Sequence, residues 1–336
     1  MNARRLRVAV LGVGHLGRIH ARILAAHPRA ELVAVVDLDG ARAREVATPL
    51  GCQGLEAGAE LPAGLDCAVV AVPTSAHEAV AVPLLERGIA CLVEKPLAGE
   101  LAAADRILAA AERAGAALAV GHVERFEPGV RRVSELGLAP RFIECHRLST
   151  FRFRSLDVGV VHDLMIHDLD LLLYFIAAEV ESVDAAGGAI LTDSIDLASA
   201  HIVFKNGARA NVTASRVSLA PMRRFRLFSG SSYVSLDFTK NYGLVVRKGP
   251  HWEEGRQALR TLDPSELARR EHFVTGELLE VSELELEGLE QPLQAELDSF
   301  LGSVAAGRPP EVSGQAGRAA LALAERISSA IRAQVW

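Results

Sequence analysis

The sequence predicts an α/β protein in which a doubly wound parallel sheet precedes a second domain built on a mostly antiparallel sheet. Three observations lead there. From Leu6 to His122, short apolar runs alternate with alanine-rich helical segments. The first of these runs feeds directly into Gly12-Val13-Gly14-His15-Leu16-Gly17. After about Glu124 the alternation gives way to a series of strand-like stretches joined by turn residues. Alternation of the first kind implies βαβ units and a parallel sheet, and a run of strands implies an antiparallel one.

The elements follow in order. Leu6–Leu11, Glu31–Asp37, Asp66–Val72, Ile89–Glu94 and Ala116–Gly121 are near-continuous Val/Ala/Leu runs, as expected of strands buried on both faces. Helical spacing occurs at His15–Ala26, Ala41–Leu50, Ser75–Arg87 and Gly99–Ala114. In the second half Phe142–Leu148 reads as a strand and Val161–Ile176 as a single crossing helix. Strand-like stretches then occur at Ile195–Phe204, Ala208–Val217, Arg224–Phe228, Ser232–Phe238 and Leu244–Arg247. Lys205-Asn206-Gly207 is a strong hairpin signal between the first two, because Asn-Gly accepts the positive φ angles of a tight turn. Lys248–His272 is polar and charged and is expected to loop over the surface. Pro292–Ala306 and Gly314–Ala333 have helical periodicity and are expected to close the second domain. The expected domains are 1–123 and 124–336.

Composition narrows the function classes. With 336 residues, 50% hydrophobic and 23% charged, the chain suffices for two ordinary domains and is not disordered. A net charge of −6 supplies no basic field for nucleic acid. Cys52, Cys67, Cys91 and Cys145 sit in apolar runs without a CxxC pair, which suits reduced thiols in a cytoplasmic protein. The basic and then apolar start runs straight into the glycine loop, so it reads as a strand rather than a signal peptide. No stretch approaches the roughly 20 apolar residues needed to span a bilayer, so no membrane partner is expected.

In the loop, Gly12 allows the tight turn, Gly14 lets the backbone approach a pyrophosphate and Gly17 permits close helix–strand packing. The helix from His15 presents free N–H groups and the positive end of its dipole to phosphates. Asp37 ends the next strand twenty residues after Gly17. There it would accept hydrogen bonds from adenosine ribose hydroxyls and repel a 2′-phosphate. The expected cofactor is therefore NAD in preference to NADP, with Arg42 and Arg44 as the nearby charges that argue the other way.

Ile89–Glu94 stops at Glu94-Lys95-Pro96. Ligands of open α/β sheets bind beyond the carboxyl ends of the strands, which places the Lys95 amine where chemistry occurs. Pro96 keeps Lys95 out of the helical region. Beside a cationic nicotinamide such an amine would exchange protons. Val161–Asp170 is the densest polar cluster in an apolar helix, with Asp163 and His167 four apart on one face and Asp170 three further on. A carboxylate and an imidazole so placed suit gripping vicinal hydroxyls and removing a proton. His162 and Asp168 flank the cluster as structural groups. The spacing is not HExxH and lacks an evident third ligand, so no metal is expected.

These residues resemble the glucose-fructose oxidoreductase/inositol dehydrogenase (Gfo/Idh/MocA) family. The resemblance is carried by GVGHLG, Glu94-Lys95-Pro96, Gly121–Pro128 and the D-x-x-x-H-x-x-D of Asp163, His167 and Asp170. It implies an N-terminal Rossmann domain and a C-terminal α/β domain with a large, mostly antiparallel sheet whose open face makes a homodimer or homotetramer. It also implies that Lys95, Asp163 and His167 surround the reacting alcohol carbon, and that the peptide before Pro96 is cis. The cofactor is expected against Gly12, Gly14, His15, Leu16, Gly17, Asp37, Pro73, Thr74, His77, Glu94 and Lys95. The substrate is expected against His122, Arg125, Arg152, Arg154, Asp170 and Arg216.

Asp157–Asp168, Ser215–Ser218 and Arg223–Arg226 are similar to the family branch that contains UDP-N-acetylglucosamine 3-dehydrogenases. His162 departs from that branch, whose members carry an apolar residue there. A nucleotide sugar bears a diphosphate, for which Arg147, Arg152, Arg154, Arg216, Arg223 and Arg224 are candidate counter-charges. The expectation is an NAD-dependent dehydrogenase that oxidises a secondary hydroxyl of a sugar, with His167 as general base and Lys95 on the same oxygen. An inositol or free-sugar dehydrogenase of the same family, and a non-catalytic NAD-sensing protein on the same fold, are the alternatives.

Overall fold

The structure is a computed structural model that describes residues 4–151, 158–261, 263, 278–286 and 288–334. The chain forms two compact units. One runs up to Phe126 and takes in Glu290–Glu325; the other runs from Glu127 through Leu289 and resumes at Arg326.

The first unit is a six-stranded parallel sheet of β1 (Leu6–Leu11), β2 (Ala30–Asp37), β3 (Gln53–Glu56), β4 (Cys67–Val70), β5 (Ala90–Glu94) and β6 (Leu118–Gly121), in the order β3-β2-β1-β4-β5-β6. This is the doubly wound order, in which the direction of winding reverses between β1 and β4 and opens a crevice at their carboxyl ends. Alternate residues of each strand feed opposite cores. Ala9, Leu11, Val70, Cys91 and Val93 pack on one face with helices α3 (His77–Glu86) and α4 (Leu101–Ala114). Val8, Val10, Cys67 and Val69 pack on the other with α1 (His15–Ala26) and α2 (Gly40–Leu50). Burial on both faces is why these strands read as unbroken apolar runs.

The C-terminal helices fold differently from expectation. With α5 (Pro128–Glu135), α6 (Ile166–Ile176) and α7 (Trp252–Thr261) before them, they are α8 (Pro292–Ala306) and α9 (Gly314–Arg332). Leu297, Phe300 and Leu301 of α8 are buried in the first unit's core beside Val8, Val10 and Leu24. The approach to α9 covers the edge of β6, where Val120 N–H donates to the Val312 carbonyl at 3.1 Å. An otherwise bare sheet edge and an unfilled core face are what draw this segment back to the first unit.

The second unit carries an eight-stranded sheet in the order β14-β13-β12-β11-β7-β10-β9-β8. Its strands are β7 (Phe142–Leu148), β8 (Val180–Gly188), β9 (Leu197–Phe204), β10 (Arg209–Ser215), β11 (Met222–Phe228), β12 (Ser232–Asp237), β13 (Tyr242–Lys248) and β14 (Leu279–Glu283). Among the described residues only the β7–β10 pair is parallel; the others are antiparallel. One face is buried, as the alternation in β7, β9 and β10 shows. The other presents Ser199 against Thr213 and His201 against Asn211 as cross-strand polar pairs. The expected surface loop from Lys248 contains the helix α7, whose acidic first turn and basic last turn complement the helix dipole.

Candidate active site

The glycine loop is shaped by close approach. Gly12 has φ +87°, and a Cβ there would lie 2.6 Å from the Ala71 carbonyl oxygen. A Cβ on Gly17 would lie 1.8 Å from the Gly12 carbonyl oxygen, so strand and helix meet only through glycine. Gly14 differs: no atom lies within 4 Å of where its Cβ would be. That open space beside the first turn of α1 is the cradle a pyrophosphate needs. His15 is exposed and Leu16 half-buried at the same turn, and Pro73 and Thr74 follow β4 across the switch point, exposed and half-buried respectively.

Asp37 does more than sequence spacing suggests. Its Oδ2 accepts a hydrogen bond from Val13 N–H at 2.9 Å and its Oδ1 one from Asp39 N–H at 3.0 Å. The carboxylate therefore braces the glycine loop. Arg42, the charge that argues for NADP, lies 3.4 Å from Asp37 Oδ1 and 3.7 Å from Asp39 Oδ2, so two carboxylates already answer it.

At the end of β5 the Lys95–Pro96 peptide is cis. Lys95 is half-buried, and Pro96, Leu97 and Ala98 behind it are buried. Two expected cofactor contacts, His77 and Glu94, have partners within the protein. His77 is buried, with Nδ1 3.0 Å from the Pro96 carbonyl and Nε2 3.0 Å from the Val72 carbonyl. It ties the loop after β4 to the turn after β5. Burial, opposed by those carbonyls and the charge of Glu94, holds its pKa below the ordinary imidazole value. Glu94 turns inward, where its Oε1 lies 2.7 Å from His20 Nε2. Gly121 leaves room for that carboxylate, since a Cβ there would meet Glu94 Oε2 at 2.8 Å.

In the second unit Asp163 and His167 are held by an irregular helix start rather than by one continuous α-helix. Val161–Met165 is a π-helical turn, and Ile166 N–H donates to the Val161 carbonyl, five residues back. Such turns widen the helix locally and recur at functional sites. The N–H groups of His162 and Asp163 both donate to the Gly159 carbonyl at 3.1 Å, which anchors the turn. Asp163 and His167 are both half-buried. His162 is half-buried too, and burial, reinforced by the charge of Arg332, lowers its pKa.

Several expected substrate contacts are buried or have protein partners in this structure. Asp170 and His122 have no exposed surface. Arg216 is buried, donates to the Val158 carbonyl and faces Asp196 at 3.7 Å. Burial alone would raise the Asp196 carboxyl, but the amides of Ile190, Thr192 and Leu191 hold it below its ordinary value. Arg147 makes a buried two-pronged pair with Asp168, at 2.8 Å through both Nε and Nη2. Arg223 and Arg224 lie opposite Glu127 and Asp237. Arg125 is buried in the helical turn Val123–Phe126. Arg152 and Arg154, and Asp157 with them, lie outside the described residues.

His20 and Glu296 shape the surroundings of Lys95 without having been singled out in the sequence, as does Gly121, which opens the Gly121–Pro128 motif. Glu296 offered a signal: it falls in the same helical stripe as Leu297, Phe300 and Leu301, where a carboxylate is out of place. The cysteines are unpaired; Cys67, Cys91 and Cys145 are buried, and burial pushes the Cys67 thiol up to about 12. Among the described residues no helix is long and apolar enough to cross a membrane.

Comparison with known proteins agrees with this architecture. Residues 6–122 match the oxidoreductase family with an NAD-binding Rossmann fold, and residues 139–230 match the GFO/IDH/MocA C-terminal domain. The chain is 38% identical, over 98% of its length and 98% of the relative's, to UDP-N-acetylglucosamine 3-dehydrogenase of Acidithiobacillus ferrooxidans. A solved structure of that enzyme superposes with a TM-score of 0.84 at 36% identity, covering 98% of this chain and 99% of the other. Myo-inositol 2-dehydrogenase of Thermotoga maritima is 27% identical over 95% of this chain and 94% of its own. With the glycine loop, the doubly wound sheet and the mostly antiparallel second sheet in place, the chain belongs to the Gfo/Idh/MocA family of NAD-binding oxidoreductases.

Proposed function

We propose that this protein oxidises a secondary hydroxyl of a nucleotide sugar, with UDP-N-acetylglucosamine and its 3-hydroxyl as the first choice. The observation that carries the reading is the 38% identity to a UDP-N-acetylglucosamine 3-dehydrogenase through essentially the whole of both chains. The inositol dehydrogenase is more distant, at 27%.

The first unit serves as the NAD domain and the second as the substrate domain. NAD, when bound, supplies a nicotinamide that accepts hydride from the carbinol carbon. Gly14 and the first turn of α1 face the pyrophosphate, and Asp37 takes the ribose hydroxyls while it braces Val13. Lys95 donates a hydrogen bond to the reacting oxygen. His167 accepts the hydroxyl proton, and Asp163, four residues earlier, orients the imidazole. An imidazole suits this task because its ordinary pKa lies near neutral pH. Arg147 and Arg216 are left out of the diphosphate site because their charges are already compensated in buried pairs.

The open face of the second sheet is the proposed homodimer or homotetramer contact, which light scattering of the purified chain measures directly. The functional test is NADH formation with UDP-N-acetylglucosamine against myo-inositol and free N-acetylglucosamine. Turnover of the nucleotide sugar at least about a hundredfold above the others in kcat/KM supports the proposal, a margin well inside the roughly 10⁴–10⁵ that unpaired buried polar groups can impose on the wrong substrate. Preference for the inositol would overturn it.

A further inference from the structure

Behind the Lys95–Pro96 turn lie three ionisable side chains from three elements: His20 on α1, Glu94 at the end of β5 and Glu296 on α8. They are 0%, 7% and 2% exposed. One ligand atom from each lies within 4.8 Å of the other two. His20 Nε2 is within hydrogen-bond distance of Glu94 Oε1. Glu94 Oε2 lies 3.3 Å from the main-chain N–H of Lys95 and is seated against Gly121. Neither oxygen of Glu296, nor His20 Nδ1, has a hydrogen-bond partner among the described residues.

An ionised carboxylate at the Glu296 position would be buried without a donor, beside a second carboxylate. Two carboxylates so placed do not both ionise; one retains a proton. Burial, and then the charge of Glu94, pushes the Glu296 carboxyl well above its ordinary value. Between the two, Glu94 is the natural anion, because His20 and the Lys95 N–H offer it donors. A cavity of about 10 Å³ bordered by Glu296, Phe126, Phe300, Ser299 and Glu311 has room for roughly one water to satisfy the acid.

We propose that His20, Glu94 and Glu296 form a proton-sharing cluster in which Glu296 is an un-ionised acid, and that this cluster positions the main chain of Lys95. The acid relieves the repulsion that would otherwise swing the Glu94 carboxylate away from the Lys95 N–H. Glu296 itself touches neither cofactor nor substrate; it is a positioning residue. The rival occupant of a His–Glu–Glu donor set is a divalent cation, which would require both carboxylates ionised.

The test compares the wild type with E296Q and E296L. Gln reproduces the donor of an un-ionised acid, and Leu removes it. Infrared spectroscopy at neutral pH is expected to show the carbonyl stretch of a buried un-ionised carboxylic acid in the wild type and its loss in E296Q. Absence of the band, its persistence in E296Q, or one divalent cation per chain by elemental analysis would overturn the cluster. The kinetic arm rests on the function proposed above. With UDP-N-acetylglucosamine, E296L is expected to lower kcat about tenfold at little-changed KM, and E296Q to restore it, as the loss and recovery of one buried polar contact imply. Equal kcat in all three proteins would overturn the positioning role. If E296L does not fold, the wild-type and E296Q spectra still decide the cluster, and E296A, which also removes the donor, takes the place of E296L in the kinetic arm. If the wild type ignores the sugar, the functional reading fails while the infrared result stands.

Discussion

Arg147 and Asp168 form a buried, two-pronged ion pair, with both N–O distances at 2.8 Å and the two side chains 7% and 3% exposed. It joins β7 to α6 at the residue next to His167. Removing one partner leaves the other charge buried and uncompensated, so R147M and D168N are each expected to cost about 3–5 kcal/mol in urea unfolding. The double replacement R147M/D168L is expected to recover much of that loss. Additive losses in the double variant would contradict a pair that acts as a unit.

The glycines of the first loop separate folding from binding. A Cβ on Gly17 collides with the Gly12 carbonyl, whereas one on Gly14 enters open space. G17A is therefore expected to lower the thermal midpoint sharply. G14A keeps the midpoint of the wild type and weakens NAD binding by about tenfold or more, corresponding to roughly 1.4 kcal/mol lost at the phosphate contact. Calorimetric titration of NAD into both variants checks the distinction.

Asp37 supports the loop, and the proposed function has the same carboxylate select the cofactor. D37A removes the acceptor for Val13 N–H and Asp39 N–H and releases Arg42. Hydrogen bonds to a charged group contribute about 1.5–3 kcal/mol, so NAD affinity is expected to fall about ten- to a hundredfold. NADP affinity falls less or rises, because a freed guanidinium meets the 2′-phosphate. An unchanged ratio of the two dissociation constants would sink the selective role.

His77 and His162 both have pKa values held below the ordinary 6.5 by burial. A base depressed in the folded state binds more protons when unfolded, so it destabilises the fold as pH falls. The stabilisation is present above pH 6.5 and is lost progressively as the pH drops through the lowered folded values. Urea midpoints across that range are expected to decline with acid, and H162L to flatten part of the decline. A midpoint that rises on acidification would reverse the sign of this account.

What the sequence shows of this fold follows burial. The five strands of the first sheet other than β3 carry unbroken apolar runs and are legible. The strands that escaped notice are β3, β8 and β14, and each lies at the edge of its sheet. β3 and β14 hold no buried residue, and β8 is buried only towards its end, so no sustained apolar alternation marks these three. The helix α8 reads correctly as a helix, but its attachment to the first unit depends on contacts with β1 and α1 far away in sequence. Chemistry at the site divides the same way. Lys95, Asp163 and His167 stand out by motif. The buried partners of Arg147, Arg216 and His77 are non-local and became apparent only in three dimensions, where residues that look like ligands for phosphate or cofactor also brace the fold.

The central claim is that Lys95 and His167 act on one hydroxyl of a nucleotide sugar while hydride leaves for NAD. The most direct measurement is single-turnover NADH formation from UDP-N-acetylglucosamine by the wild type, K95A and H167A at matched NAD saturation. Each variant is expected to lose about a hundredfold or more in the hydride-transfer rate, the usual contribution of a positioned acid–base group, with NAD affinity little changed in H167A. Turnover within a few-fold of wild type in either variant would contradict the account.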